Sequence, residues 1–123
     1  MNDVCLILLA HGSPDPRWRA PFQTLAEAIG REQGGSRVKL AYMEFSAPTL
    51  ADAARQARQE GFTILRILPL FMAAGAHVDR DIPALADALR KDFPELTIEI
   101  LPAVGEHPRV RAALQEISRE SLL

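Results

Sequence analysis

VCLILLAHGSP, residues 4–14, is an unbroken apolar run that ends at a histidine and a Gly-Ser-Pro turn. An apolar run without a polar face is typical of a strand that is covered on both sides, as in the middle of a parallel sheet. The turn residues behind it predict a strand followed by a loop, with His11 at the end of the strand.

The rest of the chain repeats this strand–loop–helix unit three more times. Apolar or alternating runs predict further strands at 38–43, 64–68 and 96–100. The segments between and after them have apolar residues at helical spacing, namely Trp18, Phe22, Leu25 and Ile29; Leu50, Ala53, Ala54 and Ala57; Val78, Ile82, Leu85 and Leu89; and Val110, Leu114 and Ile117. Four such units predict a single α/β domain over residues 1–123, with three layers: a four-stranded parallel sheet flanked by helices.

The order of the strands follows from their apolar character. The first and third strands are the most apolar and belong in the middle, whereas the second and fourth alternate and belong at the edges. With right-handed crossovers this predicts the order 2-1-3-4 and a topological switch point between strands 1 and 3.

The composition argues against several classes of protein. A length of 123 residues leaves little room for a second domain, and a formal charge of −2 lacks the basic excess of nucleic-acid binders. No apolar run approaches the roughly 20 residues that span a bilayer. We therefore expect a cytoplasmic protein without nucleic-acid or membrane partners. The only cysteine, Cys5, lies within the first apolar run and is expected to be a core residue rather than a nucleophile.

The chemistry is expected beyond the carboxyl ends of the strands, where open parallel sheets bind ligands. His11 ends the first strand, His77 lies in the loop after the third, and Glu44 ends the second. Because strands 1 and 3 are predicted neighbours, His11 and His77 should approach one crevice, and two imidazoles with a carboxylate suit cobalt, nickel, iron or zinc. His107 precedes Pro108 where a helix begins, so a capping or surface role is the better interpretation for it.

The segment 70–76 is apolar but fits neither the strand nor the helix pattern. It predicts a loop buried under a neighbour, a floor for a flat ligand, or a subunit interface. Dinucleotide-binding, Walker, zinc-protease and nucleophile-elbow motifs are absent from the sequence. Ser13 is therefore interpreted as a loop or capping hydroxyl rather than a nucleophile.

Two motifs resemble the signatures of the short CbiX-type chelatases, which insert cobalt into sirohydrochlorin on the anaerobic route to cobalamin. LLAHGS at residues 8–13 resembles the opening of the family, and PLFMAAGAHVDRDIP at residues 69–83 resembles its second, more specific signature. Glu44, followed by Pro48-Thr49-Leu50, is similar to the segment that joins them. The resemblance covers essentially the whole chain, at the length of the single-repeat members.

The resemblance implies two similar halves that face each other across a tetrapyrrole cleft, which a short chain would supply by forming a homodimer. By matching position, His11 and His77 would handle the metal ion, with Glu44 as an assisting acid. The expected substrates are sirohydrochlorin and a divalent metal, cobalt first and iron or nickel as alternatives, without a nucleotide cofactor.

The substrate implied by the resemblance is rich in carboxylates. Three arginines near the two histidine segments could pair with these carboxylates, namely Arg17, Arg19 and Arg80. The alternative interpretation is that they belong to ordinary solvated helix surface. Ser13 and Phe71 are the other candidates for contact with the substrate.

Three other functions remain open at this point. The chain could be a sirohydrochlorin ferrochelatase of siroheme synthesis, or a carrier of metal or tetrapyrrole that keeps the cleft without turnover. A phosphate-handling enzyme is the third, because a loop that enters a helix can bind anions. A histidine phosphatase, however, would have an arginine before the His-Gly pair, where this chain has Ala10.

Overall fold

The structure is a computed structural model whose described part comprises residues 3–73 and 75–123, except for the side chains of residues 76–79. Along this part run β1 (Val4–Ala10), α1 (Pro16–Gln33), β2 (Val38–Tyr42), α2 (Leu50–Gln59), β3 (Ile64–Pro69), α3 (Ala76–Asp92), β4 (Thr97–Ile100), a 3-10 turn (Val104–Glu106) and α4 (Pro108–Ser121). The predicted alternation of strands and helices is thereby confirmed. None of the helices described is long and apolar enough to cross a membrane.

The strands form one parallel sheet in the order β2-β1-β3-β4, as the apolar pattern predicts. β1 is paired on both sides, so that Leu8 lies opposite Leu40 of β2 and Leu68 of β3. Both edges of β1 are hydrogen-bonded and its residues from Ile7 to Ala10 are all buried, which explains why its sequence has no polar residue.

One face of the sheet is covered by α2 and α3. Cys5, Ile7 and Leu9 of β1 are buried there, together with Ala54 and Ala57 of α2. The small alanine side chains allow the backbone of α2 to lie close to the strands. Burial raises the pKa of the Cys5 thiol to about 11, so the thiol stays protonated at neutral pH and Cys5 is a core residue, as expected.

The opposite face of the sheet is only partly covered. α1 packs against β2, but Trp18 and Leu25 of its apolar face remain 37% and 44% exposed. α4 has no buried residue and lies mainly against the 3-10 turn. Leu114 and Ile117, which the helical spacing of the sequence places on one face of α4, are therefore exposed. The side chains of Arg66 and Glu99 form an exposed ion pair across β3 and β4 on this uncovered face.

The close packing of α2 can be tested with two alanines on different helices. We expect Ala54→Leu to lower the free energy of unfolding by about 1–3 kcal/mol, because the added carbons have no space against the sheet. Ala88→Leu on the exposed side of α3 is the matched control and should change it by less than about 0.5 kcal/mol. Urea denaturation followed by circular dichroism measures both, and equal losses would contradict the packing described.

Candidate functional site

His11 and Glu44 lie side by side beyond the carboxyl ends of β1 and β2. His11 Nε2 is 3.2 Å from Glu44 Oε1, and the two side chains are 45% and 47% exposed. An imidazole nitrogen and a carboxylate oxygen at this separation can contact one divalent ion or take up protons. Because both groups are half exposed, their mutual attraction contributes less than about 1 kcal/mol to stability, and the pair is open to a ligand.

Backbone hydrogen bonds continue the β1–β2 pairing past the strand ends and hold these residues together. The Met43 N–H donates to the Ala10 carbonyl over 2.9 Å, and the Glu44 N–H donates to the His11 carbonyl over 3.1 Å. Gly12 has φ +105° and lies so close to the Glu44 carbonyl that a Cβ would overlap it. Only glycine combines a favourable positive φ with the lack of a Cβ, which explains why glycine follows His11 in the sequence.

Phe71 forms a wall of the site. Its ring meets the His11 ring edge-on, with centroids 5.9 Å apart, and its other side packs against the buried core. The Leu70 N–H donates to the Leu9 carbonyl over 2.8 Å, and the Gly105 N–H donates to the Phe71 carbonyl over 2.9 Å. The segment after β3 is therefore tied to β1 and to the 3-10 turn, and Phe71 belongs partly to the core rather than to a fully exposed apolar patch.

The apolar segment 70–76 is divided by the structure. Leu70 and Phe71 are half buried, whereas Met72 and Ala73 are exposed, and Ala74 lies outside the described residues. The first half of this segment therefore packs inward, and the described residues that follow it face outward.

The sequence predicts His77 in the loop after the third strand. The structure instead places it in the first turn of α3, which begins at Ala76. The N-cap residue is Gly75, which makes no side-chain capping hydrogen bond, so the Ser, Thr, Asp or Asn that usually marks a helix start in a sequence is missing. The side chain of His77 lies outside the described part of the chain. Its approach to His11 therefore remains a prediction.

The candidate contacts in the first loop differ in their surroundings. Ser13 Oγ accepts from the Asp15 N–H over 3.1 Å, which confirms the loop hydroxyl. The Arg17 guanidinium pairs with the Asp15 carboxylate at 3.1 Å and holds the pKa of that carboxyl below its usual range. Arg19 donates to the Ser13 carbonyl over 2.8 Å and thus braces the loop. Arg80 on α3 is exposed.

His107 is the N-cap residue of α4. Its Nδ1 accepts from the Arg109 N–H over 3.1 Å, and Pro108 follows at the first helical position. The capping interpretation of His107 is confirmed.

Two residues of the site region were not found by the sequence reasoning. Ser46 hydrogen-bonds to the backbone of Ser13, and no pattern in the sequence marks it. Asp81 lines a cavity of about 320 Å³ together with Met43 and Glu44. The sequence feature that could have indicated Asp81 is its position within the segment 69–83. In the part of the chain that the structure describes, no group of three or more His, Cys, Asp or Glu side chains could hold a metal ion.

The sequence profile of the CbiX family matches residues 5–121. The chain belongs to the CbiX family. A solved CbiX protein from Marinobacter aquaeolei VT8 is 34% identical, with a TM-score of 0.85, and the match covers 97% of this chain and 94% of that one. The sirohydrochlorin chelatase SirB from Bacillus subtilis subspecies spizizenii, solved with cobalt, shares the fold at a TM-score of 0.80 and 19% identity; this match covers 98% of this chain and 51% of SirB.

Relatives named sirohydrochlorin cobaltochelatase match the sequence over different lengths. The Sulfolobus acidocaldarius protein is 28% identical over 97% of this chain and 93% of its own. The Methanopyrus kandleri protein is 32% identical over 67% of this chain, and the match spans 57% of that relative. The chain thus spans a little more than half the length of the Methanopyrus kandleri protein.

The contact of Gly12 with the Glu44 carbonyl leads to a prediction about Gly12→Ala. Gly34 has a similar φ of +90° but open space where a Cβ would stand, so Gly34→Ala should lower the free energy of unfolding only by about 1–2 kcal/mol of backbone strain. Gly12→Ala should lose about 1–3 kcal/mol more, because the methyl group pushes the Glu44 carbonyl away. Urea denaturation measures the difference, and similar losses in both variants would show that the loops are not in close contact.

Proposed function

We propose that this protein is a sirohydrochlorin metallochelatase that inserts a divalent metal, cobalt in the first place, into the tetrapyrrole during cobalamin synthesis. The observation that carries the proposal is the half-exposed His11–Glu44 pair beside Phe71 at the carboxyl edge of the sheet. The CbiX family, and the names of the relatives that match the sequence, support the choice of substrate. We place the protein in the cytoplasm, as expected from its sequence.

Metal insertion exchanges two pyrrole protons for one divalent ion. The ion must lose water and both protons must be taken up, while no electron is transferred and no nucleotide is consumed. His11 and Glu44 offer a nitrogen and an oxygen that can replace water on the ion and then accept the protons. The two groups are close enough to act on the same ion, and their exposure lets the ion arrive and leave.

A second histidine is part of the proposal. α3 begins at Ala76, directly after the segment that follows β3, and β3 lies next to β1. This backbone course supports a role for His77 as the second metal-handling residue. Arg17 and Arg80 are proposed to meet substrate carboxylates, since their guanidinium groups are on exposed helix surface near the site.

The flat substrate needs an apolar surface as well as charges. Phe71 stands edge-on to His11, so a macrocycle bound over His11 would also touch the exposed part of this ring. Ser13 is proposed as a further contact, since it lies in the same loop as His11.

Removal of single side chains tests the proposed roles. We expect His11→Ala to lower the rate of cobalt insertion into sirohydrochlorin by about 100-fold or more, the range typical of a lost acid–base group. His77→Ala should do the same, Glu44→Gln should have a smaller but clear effect, and His107→Ala should keep the parent rate. The change in tetrapyrrole absorption measures insertion.

Each result of this experiment has a distinct meaning. If folded His11→Ala inserts cobalt at the parent rate, the proposed site is wrong. If the parent binds cobalt and sirohydrochlorin without forming the metal complex, the protein is a carrier. Iron assayed in parallel shows whether the ferrochelatase alternative fits better, and nickel tests the remaining metal.

We further propose that the protein acts as a homodimer joined through α4. Val110, Leu114 and Ile117 form an apolar stripe on this helix, and Leu114 and Ile117 are 42% and 57% exposed. Burial would stabilise this stripe, and it would also stabilise the exposed apolar residues on the sheet face of β3 and β4. The match of the whole chain to half of SirB supports an assembly of two copies.

The uncovered sheet face has the dimensions and chemistry to receive α4 of a second copy. Two cavities of about 340 Å³ and 310 Å³ lie along it and share Leu101. The second is lined mainly by apolar residues, among them Leu68 and Val104. A helix of 14 residues is about 21 Å long, and a strand of six residues such as β3 is about 20 Å long. Because the 3-10 turn before α4 also bonds to Phe71, this interface would border the site.

A charge on the apolar stripe should separate the two copies. We expect Leu114→Glu to shift the protein from dimer to monomer, because a carboxylate on the apolar stripe would lose its hydration in the interface. Gln115→Glu adds the same charge off the stripe and is the control. Sedimentation velocity measures both, and a parent protein that is monomeric and fully active at working concentration would overturn the dimer proposal.

A further inference from the structure

The loop after β2 approaches the loop after β1 at two points on either side of Gly12. On one side Glu44 meets His11. On the other side Ser46 Oγ donates to the Ser13 carbonyl over 2.6 Å and accepts from the Ser13 N–H over 3.2 Å. One hydroxyl thus satisfies both backbone polar groups of Ser13.

The backbone between these two points is strained. Phe45 has φ 64°, a left-handed conformation that is unfavourable for a bulky side chain, and its ring is 70% exposed. This conformation turns Glu44 and Ser46 toward the same neighbouring loop while Phe45 projects away. Strain of this kind persists only where surrounding contacts hold it, and the hydrogen bonds of Ser46 are contacts of that kind.

We propose that Ser46 is a positioning residue: by holding Ser13 through both backbone groups, it fixes the distance between His11 and Glu44. Ser46 itself does not touch the metal or the tetrapyrrole. Arg19 supports the same point, because its guanidinium donates to the same Ser13 carbonyl over 2.8 Å. The inference rests on the proposed function, since it assumes that His11 and Glu44 act on one ion.

A positioning residue is needed because the attraction between the His11 and Glu44 side chains is too weak to hold them at a fixed distance. Both side chains are half exposed, so each would adopt other rotamers if the loops moved apart. Positioning residues of metal ligands typically change metal affinity or activity by about 10-fold to 100-fold when they are replaced. Ser46 is expected to have an effect of this size.

A pair of nearly isosteric variants separates the hydroxyl from the shape of the side chain. Ser46→Thr keeps the hydroxyl and Ser46→Val lacks it. We expect Ser46→Val to bind cobalt ion, added alone, about 10-fold more weakly and to lower kcat for insertion with little change in KM for sirohydrochlorin. Ser46→Thr should recover most of the affinity. Thr63→Val, a hydroxyl removal at the opposite edge of the sheet, should have no effect.

The outcomes distinguish this inference from the proposed function. If Ser46→Val binds cobalt like the parent whereas His11→Ala does not, the positioning role is overturned and the site stands. If His11→Ala also binds like the parent, the metal site is wrong, and the crystal structures of Ser46→Val and Ser46→Thr then decide the positioning role. A His11–Glu44 contact unchanged from 3.2 Å in Ser46→Val would overturn it. Should Ser46→Val not fold, Ser46→Ala replaces it in both measurements.

Discussion

The pairing of β1 with β2 on one side and β3 on the other is the constraint on which the site depends. The hydrogen bonds do not stop where the regular strands stop: Glu44 bonds to the backbone of His11, and Leu70 bonds to that of Leu9. The loops that follow β2 and β3 therefore both lie against the end of β1. A parallel sheet gives such a meeting point only at the carboxyl edge, and only where the central strand is flanked on both sides. The apolar run 4–10 is what places β1 in that position.

The helices of this chain leave part of the second face of the sheet uncovered. α1 packs against β2, whereas Leu68 of β3 and the Arg66–Glu99 ion pair of β3 and β4 lie on the part of the face that α4 leaves open. The exposed apolar stripe of α4 and the exposed apolar residues of the sheet face are both unfavourable in water. Two copies that exchange these surfaces would remove both costs together and place the new interface beside Phe71.

How much of this could be predicted depends on whether a feature is local in the sequence. The strand order was predictable because burial on both faces leaves an apolar run, as in β1. The positions of His11 and Glu44 at one edge followed, because parallel strands end on the same side. The exposure of α4 could not be predicted, since its apolar stripe looks the same whether its own sheet or a partner covers it. Ser46 was missed because its partner, Ser13, is 33 residues away and is contacted through its backbone.

In the proposed metal-inserting role, a half-exposed pair such as His11 and Glu44 can both take up an ion and release it. A buried, fully coordinated ion would be held too firmly to be passed on, whereas an exposed pair binds weakly and must be positioned by something other than its own attraction. Here the contacts that hold the two loops together come from the backbone and from the Ser46 hydroxyl. Gly12 brings one loop against the Glu44 carbonyl, Ser46 holds the far side of that loop, and Gly105 ties the Phe71 segment through a hydrogen bond. The side chains proposed to meet the ion can then stay open to water, because hydrogen bonds hold the loops that carry them in place.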